Sequence, residues 1–169
     1  FGSALHADDR DTLSCAVFVD DEFSPDLYLI RLQGPWSLLR SPGAPLVRLH
    51  LPLDDDTAAS IAAEATGSPV KLLRNFQRPT NLDPEERVLL LLPAGAKPTE
   101  VRLGRSAVGA PRELGPCWTW DLTPALQPGN QLQLVFEDDA WMNALAEPVL
   151  LGIMPDADGS WWRRLPAAR

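Results

Sequence analysis

VRLGRSAVGAPRELGPCWTWDLTPALQPGNQLQLVFE, residues Val101 to Glu137, holds two runs in which apolar side chains recur at every second position. Trp118, Trp120 and Leu122 share a face in the first run, and Leu132, Leu134 and Phe136 share one in the second. A period of two is that of a β-strand with one face on a core and the other toward water. Thr123, Pro124, Pro128, Gly129 and Asn130 fill the segment between the runs with turn chemistry. Two half-buried strands joined by a corner follow, and they predict an all-β sandwich.

Upstream the same reading repeats. Leu13 to Val19 is expected as a first strand, with Leu13, Cys15 and Val17 on one face; Tyr28 to Leu32 is a second, broken at Gly34-Pro35 just before Trp36. Val47, Leu49 and Leu51 point one way while Arg48 and His50 point the other. Val70 to Gln77 places Val70, Leu72 and Phe76 on one face, with Arg74 intruding on it, so Arg74 must reach solvent or a carboxylate. Arg87 to Leu92 is apolar on both faces after its first residue, the pattern of a central strand covered on both sides. Val149 to Ile153 is the last expected strand.

A single short helix is expected from Ala58 to Ala65, preceded by Asp54, Asp55, Asp56 and Thr57 and ended by Gly67. Acids belong at that end, where unpaired amide N–H groups and the helix dipole favour negative charge. Capping explains the three Asp better than a Ca²⁺ loop, which would need alternating oxygen ligands. No metal and no cofactor are expected. About eight strands and one helix fit a jelly-roll arrangement.

Length and charge narrow the function. A chain of 169 residues can bury one core without metal or disulfide support. Its 17 Pro and 11 Gly are spread along it, which suits short strands rather than long helices. Lys and Arg number 15 against 23 Asp and Glu, a net charge of −8, which repels polyanions and argues against nucleic acid. No apolar run approaches the ~20 residues of a membrane-spanning helix, so no membrane partner is expected. The sequence starts at Phe1 without a charged and apolar leader, as a trimmed piece or a processed chain would. Cys15 and Cys117 are too few for a disulfide scaffold and lack metal-ligand spacing, so two buried thiols are expected ahead of a bridge or a zinc site. The expected organisation is an arm over residues 1–12, a sandwich over 13–155 and a tail over 156–169.

RNFQRP, RVLLLL, VRLGRSAVG, WTWDLT and PGNQLQLVFE, in that order, resemble the N-terminal sugar-binding-like domain of the glycoside hydrolase family 2 enzymes. That domain is a galactose-binding-type jelly roll. Arg74, Phe76 and Pro79 match its R-x-F-x-x-P-like run, Asp121, Leu122 and Thr123 its F-D-V-T corner, and Gly129, Asn130, Leu132 and Leu134 its last strand. The likeness spans Tyr28 to Glu137. It departs at the hairpin, where Leu103-Gly104-Arg105 replaces Asn-Gly and is shorter by a residue, so a turn other than type I′ is expected. Asp121 and Thr123 are expected to bond backbone amides, and Gly129-Asn130 to suit positive φ. The resemblance implies a domain without catalytic residues, because the family's catalytic carboxylates lie in a separate barrel.

Residue by residue, no catalytic constellation stands out. The two histidines, His6 and His50, sit in no nucleophile or metal motif, and the adjacent acids Glu85-Glu86 and Asp138-Asp139 read as solvated turns. Six Trp are the sharper signal, because the C–H face of a sugar stacks on an aromatic ring. Trp36, Trp118 and Trp120 read as core, which leaves Trp141, Trp161 and Trp162 as candidate ligand-binding residues. Two functions stay open: a non-catalytic carbohydrate-binding-like module, or a structural module whose exposed Trp and Ala110–Pro116 loop dock a protein partner or a second copy.

Overall fold

The structure, a computed structural model, describes residues 27–40, 43–64, 69–114, 116–138, 142 and 145–156. Their strands are β1 (Tyr28–Arg31), β2 (Trp36–Leu39), β3 (Val47–Leu49), β4 (Val70–Gln77), β5 (Glu86–Pro93), β6 (Glu100–Leu103), β7 (Ser106–Ala107), β8 (Arg112–Leu114), β9 (Cys117–Asp121), β10 (Gly129–Phe136) and β11 (Leu150–Pro155). Helix α1 spans Asp55–Glu64. The described residues hold eleven strands against about eight expected, and β2, β7 and β8 are the ones the sequence reading does not name. Residues Leu13 to Val19 and Gly67 lie outside the described residues.

Two antiparallel sheets form a sandwich, one of five strands in the order β1-β11-β5-β9-β8 and one of six in the order β3-β2-β4-β10-β6-β7. The chain crosses repeatedly from one sheet to the other, so strands far apart in sequence become neighbours, as in jelly rolls. The long pairings carry the register: β10 pairs with β4 from Gly129↔Gln77 to Phe136↔Val70, and β5 pairs with β9 from Leu89↔Asp121 to Pro93↔Cys117.

Between the sheets lies one core. Trp36, Leu38, Leu72, Leu132 and Leu134 face inward from the larger sheet, and Leu90, Leu92, Trp120, Leu122 and Leu151 from the smaller. Trp36 is wholly buried, and its Nε1–H donates to the carbonyl of Leu32 at 2.8 Å, which meets the demand of a buried indole. Trp118 departs from the expected core role. It is only partly buried: Nε1 donates to the Ala94 carbonyl at 3.1 Å, and Lys97 Nζ stands 4.0 Å over the ring.

The corner after β9 behaves as its residues require. Asp121 Oδ1 accepts from the Thr123 backbone at 3.0 Å, and Thr123 Oγ1 accepts from the Val88 backbone at 2.9 Å, tying the corner to β5. Gly129 and Asn130 are a correction. Positive φ occurs among the described residues at Gly43, Gly104 and Asn81, not here. Asn130 is a strand residue whose amide clasps Gln127, accepting from its N–H at 2.8 Å and donating to its carbonyl at 2.7 Å. The hairpin expectation holds: Leu103 pairs with Ser106 across Gly104-Arg105, and only Gly104, at φ 61, takes positive φ, whereas type I′ needs it at both positions.

Asp54 caps α1 as expected. Its Oδ1 accepts from the Thr57 N–H at 2.6 Å, and its Oδ2 from the Thr57 hydroxyl at 2.8 Å. The cysteine expectation fails: Cys117 is disulfide-bonded, not a free thiol. It sits fully buried at the start of β9, where a strand fixes the direction of its Sγ. Cys15 is outside the described residues. Asp156, placed by the sequence at the start of a tail, is buried; it accepts from Arg87 Nε at 3.1 Å, and its backbone N–H bonds the Glu85 carbonyl.

Candidate functional site

The three expected site residues, Trp141, Trp161 and Trp162, lie outside the described residues. The described part of the molecule instead assembles a site around Arg74. Strand alternation puts Arg74 between Leu72 and Phe76 on the inner face of β4, yet near the strand's end, where the sandwich opens. Its Nη1 donates to the Pro35 carbonyl at 3.1 Å, while its Nε is buried without a partner. The guanidinium thus reaches a carbonyl and the opening, not a carboxylate.

Two clefts flank it. The larger, of about 740 Å³, lies between β1 and the adjoining ends of β4 and β10 and is lined by Ile30, Arg31, Leu32, Arg74, Asn75, Phe76, Gln77, Gly129, Asn130 and Gln131. The smaller, of about 300 Å³, is lined by Pro35, Ser37, Leu46, Arg48, Leu73, Arg74, Asn75 and Gln131. Arg74, Asn75 and Gln131 belong to both. The apolar wall of the larger cleft comes from Ile30, Leu32 and Phe76, and its polar groups are amides and guanidinium.

Beside the clefts, the outer face of the six-stranded sheet carries a row of amides. Register places Gln131 opposite Asn75 and Gln133 opposite Leu73 and Arg102. Gln131 Nε2 donates to Asn75 Oδ1 at 3.3 Å, and Gln133 Nε2 reaches Gln131 Oε1 at 3.3 Å and the Gly104 carbonyl at 3.2 Å. These contacts are long, so they orient the amides more than they consume them. Asn75 keeps both amide N–H groups and Gln133 keeps its Oε1, a mixed set of donors and acceptors on a rigid strand. Asn130, by contrast, spends its amide on Gln127 and holds the start of β10 in place.

Chemically, neighbouring amides of this kind match paired hydroxyl groups, and a partly buried Phe76 offers an apolar surface to a ring's C–H face. Among the described residues, no group of three or more His, Cys, Asp or Glu is placed to hold a metal ion. The sequence flagged Arg74 as an intruder on an apolar face, but it gave no role to the amides. Their signal was the use of Asn and Gln at alternate outward positions, Asn75 and Gln77 on β4, Gln131 and Gln133 on β10, where Lys and Glu are more usual.

The fold recurs in solved glycosidase structures. The chain is similar to an FMN-binding beta-glucuronidase from Faecalibacterium prausnitzii L2-6 at 18% identity and TM-score 0.60, over 77% of this chain and 23% of that one. A Bacteroides uniformis beta-glucuronidase matches at 17% identity and TM-score 0.56, over 76% and 18% respectively. A beta-D-mannosidase from Dictyoglomus thermophilum matches at 13% identity and TM-score 0.51, over 64% and 15%. At such identities the likeness is one of fold, and the chain spans a quarter or less of each enzyme. No protein-family model matches the sequence. No curated protein matches it either.

Proposed function

We propose that this sandwich is a non-catalytic, carbohydrate-binding domain of the kind glycosidases carry, and that saccharide docks across the Arg74 clefts and the adjoining amide row. The observation that carries the reading is the amide row itself: Asn75, Gln131 and Gln133, oriented by one another, beside a cleft with an aromatic wall. The recurrence of the fold as one part of much longer glycosidases supports it, and so does the resemblance of RNFQRP and PGNQLQLVFE to a sugar-binding-like domain. Trp141, Trp161 and Trp162 are a second set of candidate contacts.

A glycan array, followed by calorimetric titration of each hit, tests the reading. Gln131→Ala with Gln133→Ala should weaken binding about tenfold or more, through loss of two or three hydrogen bonds, without moving the thermal midpoint. Unchanged binding in that variant, together with loss on substituting Trp141, Trp161 or Trp162, would move the site to the aromatic set. A second reading, a module that docks protein, is favoured by the exposure of Tyr28, Leu46 and Val47. It takes over if no glycan binds and substituting these three changes the mass of the assembly in solution.

A further inference from the structure

Resting on the carbohydrate reading, we infer that the preferred ligand carries a carboxylate: a saccharide containing uronic acid, held by Arg74 and Arg48 across the smaller cleft. Both guanidinium groups line that cleft, and neither cleft is lined by an Asp or Glu among the described residues. Arg74 is bonded only to the Pro35 carbonyl, its Nε buried without a partner. Among the described residues no carboxylate pairs with Arg48, which stands exposed on β3 directly across from Ser37. In a chain of net charge −8, the smaller cleft thus presents two guanidinium groups and, among the described residues, no carboxylate.

A guanidinium fork fits a carboxylate with two parallel N–H···O bonds, and it binds planar carboxylates more selectively than an ammonium would. The surrounding negative charge sets the upper limit on ligand charge. Beyond roughly 8–10 Å salt screens it, so a single carboxylate among neutral sugars enters freely, while a densely charged polymer is repelled. Ser37, Asn75 and Gln131 then bond the hydroxyl groups of the same residue. Direct pairing with Arg74 needs only the Nη groups at the opening, so the ligand does not have to reach the buried Nε.

The test titrates the full chain with oligosaccharides containing glucuronate, galacturonate or mannuronate, with each carboxyl-reduced neutral counterpart, and with a sulfated oligosaccharide. At least one uronate form should bind about tenfold or more tightly than its reduced counterpart, the size of one charge-assisted hydrogen-bonded pair. Arg48→Gln should abolish that preference and leave the thermal midpoint unchanged, while Arg48→Lys should restore part of it. Arg48 is the chosen site because it is exposed, whereas Arg74→Gln also alters the packing between Leu72 and Phe76. Equal binding of uronate and reduced forms would overturn the carboxylate inference and leave the carbohydrate reading standing. Preference for the sulfated ligand would overturn it in favour of a tetrahedral oxyanion. Binding of no saccharide, charged or neutral, would remove both.

Discussion

The two sheets share one core but turn unlike faces outward. On the five-stranded sheet the central outward positions Leu89, Leu91, Cys117, Thr119, Leu150 and Met154 are buried, while Leu29, Arg31, Arg112 and Asp121 toward its margins are half-buried or exposed. On the six-stranded sheet they are Ser37, Leu73, Asn75, Gln131, Gln133, Lys71 and Arg102, exposed or half-exposed. One sheet is therefore covered on both faces through its middle, and the other stays open on one. A sealed sheet is stiff because both faces pack at interior density, which suits it to bear the corner hydrogen bonds and the Arg87–Asp156 pair. An open sheet loses little when its outward side chains change, so that face is free to specialise in recognition.

The sharpest way to break the comparison is to place the same charge on each face. Leu89→Asp buries a carboxylate with no partner and should abolish cooperative folding, a loss on the order of 4–5 kcal/mol or more. Gln133→Asp, on the exposed face and opposite Arg102, should stay within about 0.5 kcal/mol of the parent chain. Urea denaturation followed by Trp fluorescence measures both. A native-like Leu89→Asp protein would mean that the outer face of the smaller sheet is not sealed.

Cys117 gives a smaller effect on the same sealed face. The chain's other cysteine is Cys15, so the unreduced protein in denaturant should show no titratable thiol and the reduced protein two. Cys117→Ser, or reduction of the parent chain, should lower stability by about 2–4 kcal/mol, the usual worth of a disulfide. A urea midpoint unmoved by reductant would argue that the bridge adds nothing to this face.

The contrast between the sheets also explains what could be read from sequence. RVLLLL, apolar at consecutive positions, revealed that β5 is covered on both faces, and QLQLVF, alternating, revealed that β10 is covered on one. The corner was legible because Asp121 and Thr123 act within a few residues of each other. The cleft was not, since β1, β4 and β10 meet there only through the fold, and an outward Gln looks the same whether it faces water or a ligand. The same distance hid the partner of Cys117 and the burial of Asp156, whose mate Arg87 lies on a strand far away in sequence. Gly129-Asn130 misled for a different reason: Asn suits positive φ in turns, but here its amide found the Gln127 backbone and the strand began earlier.

The smallest expected effect lies at the start of α1, on the connection that leads from β3 to β4 of the open sheet. Asp54 is fully exposed, and the Thr57 backbone N–H, then the Thr57 hydroxyl, hold its carboxyl below the ordinary aspartate value. The folded chain thus binds this proton less readily than the unfolded one. The stabilisation is complete above the unfolded-state pKa, about 3.9, and fades as pH falls through the lower folded-state value. Solvent screening keeps the effect small, so it should appear as a slight slope in thermal midpoint below about pH 4 and none near neutrality. Asp54→Asn keeps a capping oxygen without the titration and should flatten that slope while leaving the neutral midpoint nearly unchanged. Asp54→Ala should lower the midpoint at every pH. If Asn and Ala behave alike, the cap contributes through charge at the helix end rather than through its hydrogen bonds to Thr57. In either variant, saccharide binding at the Arg74 clefts should persist, because no residue of α1 lines them.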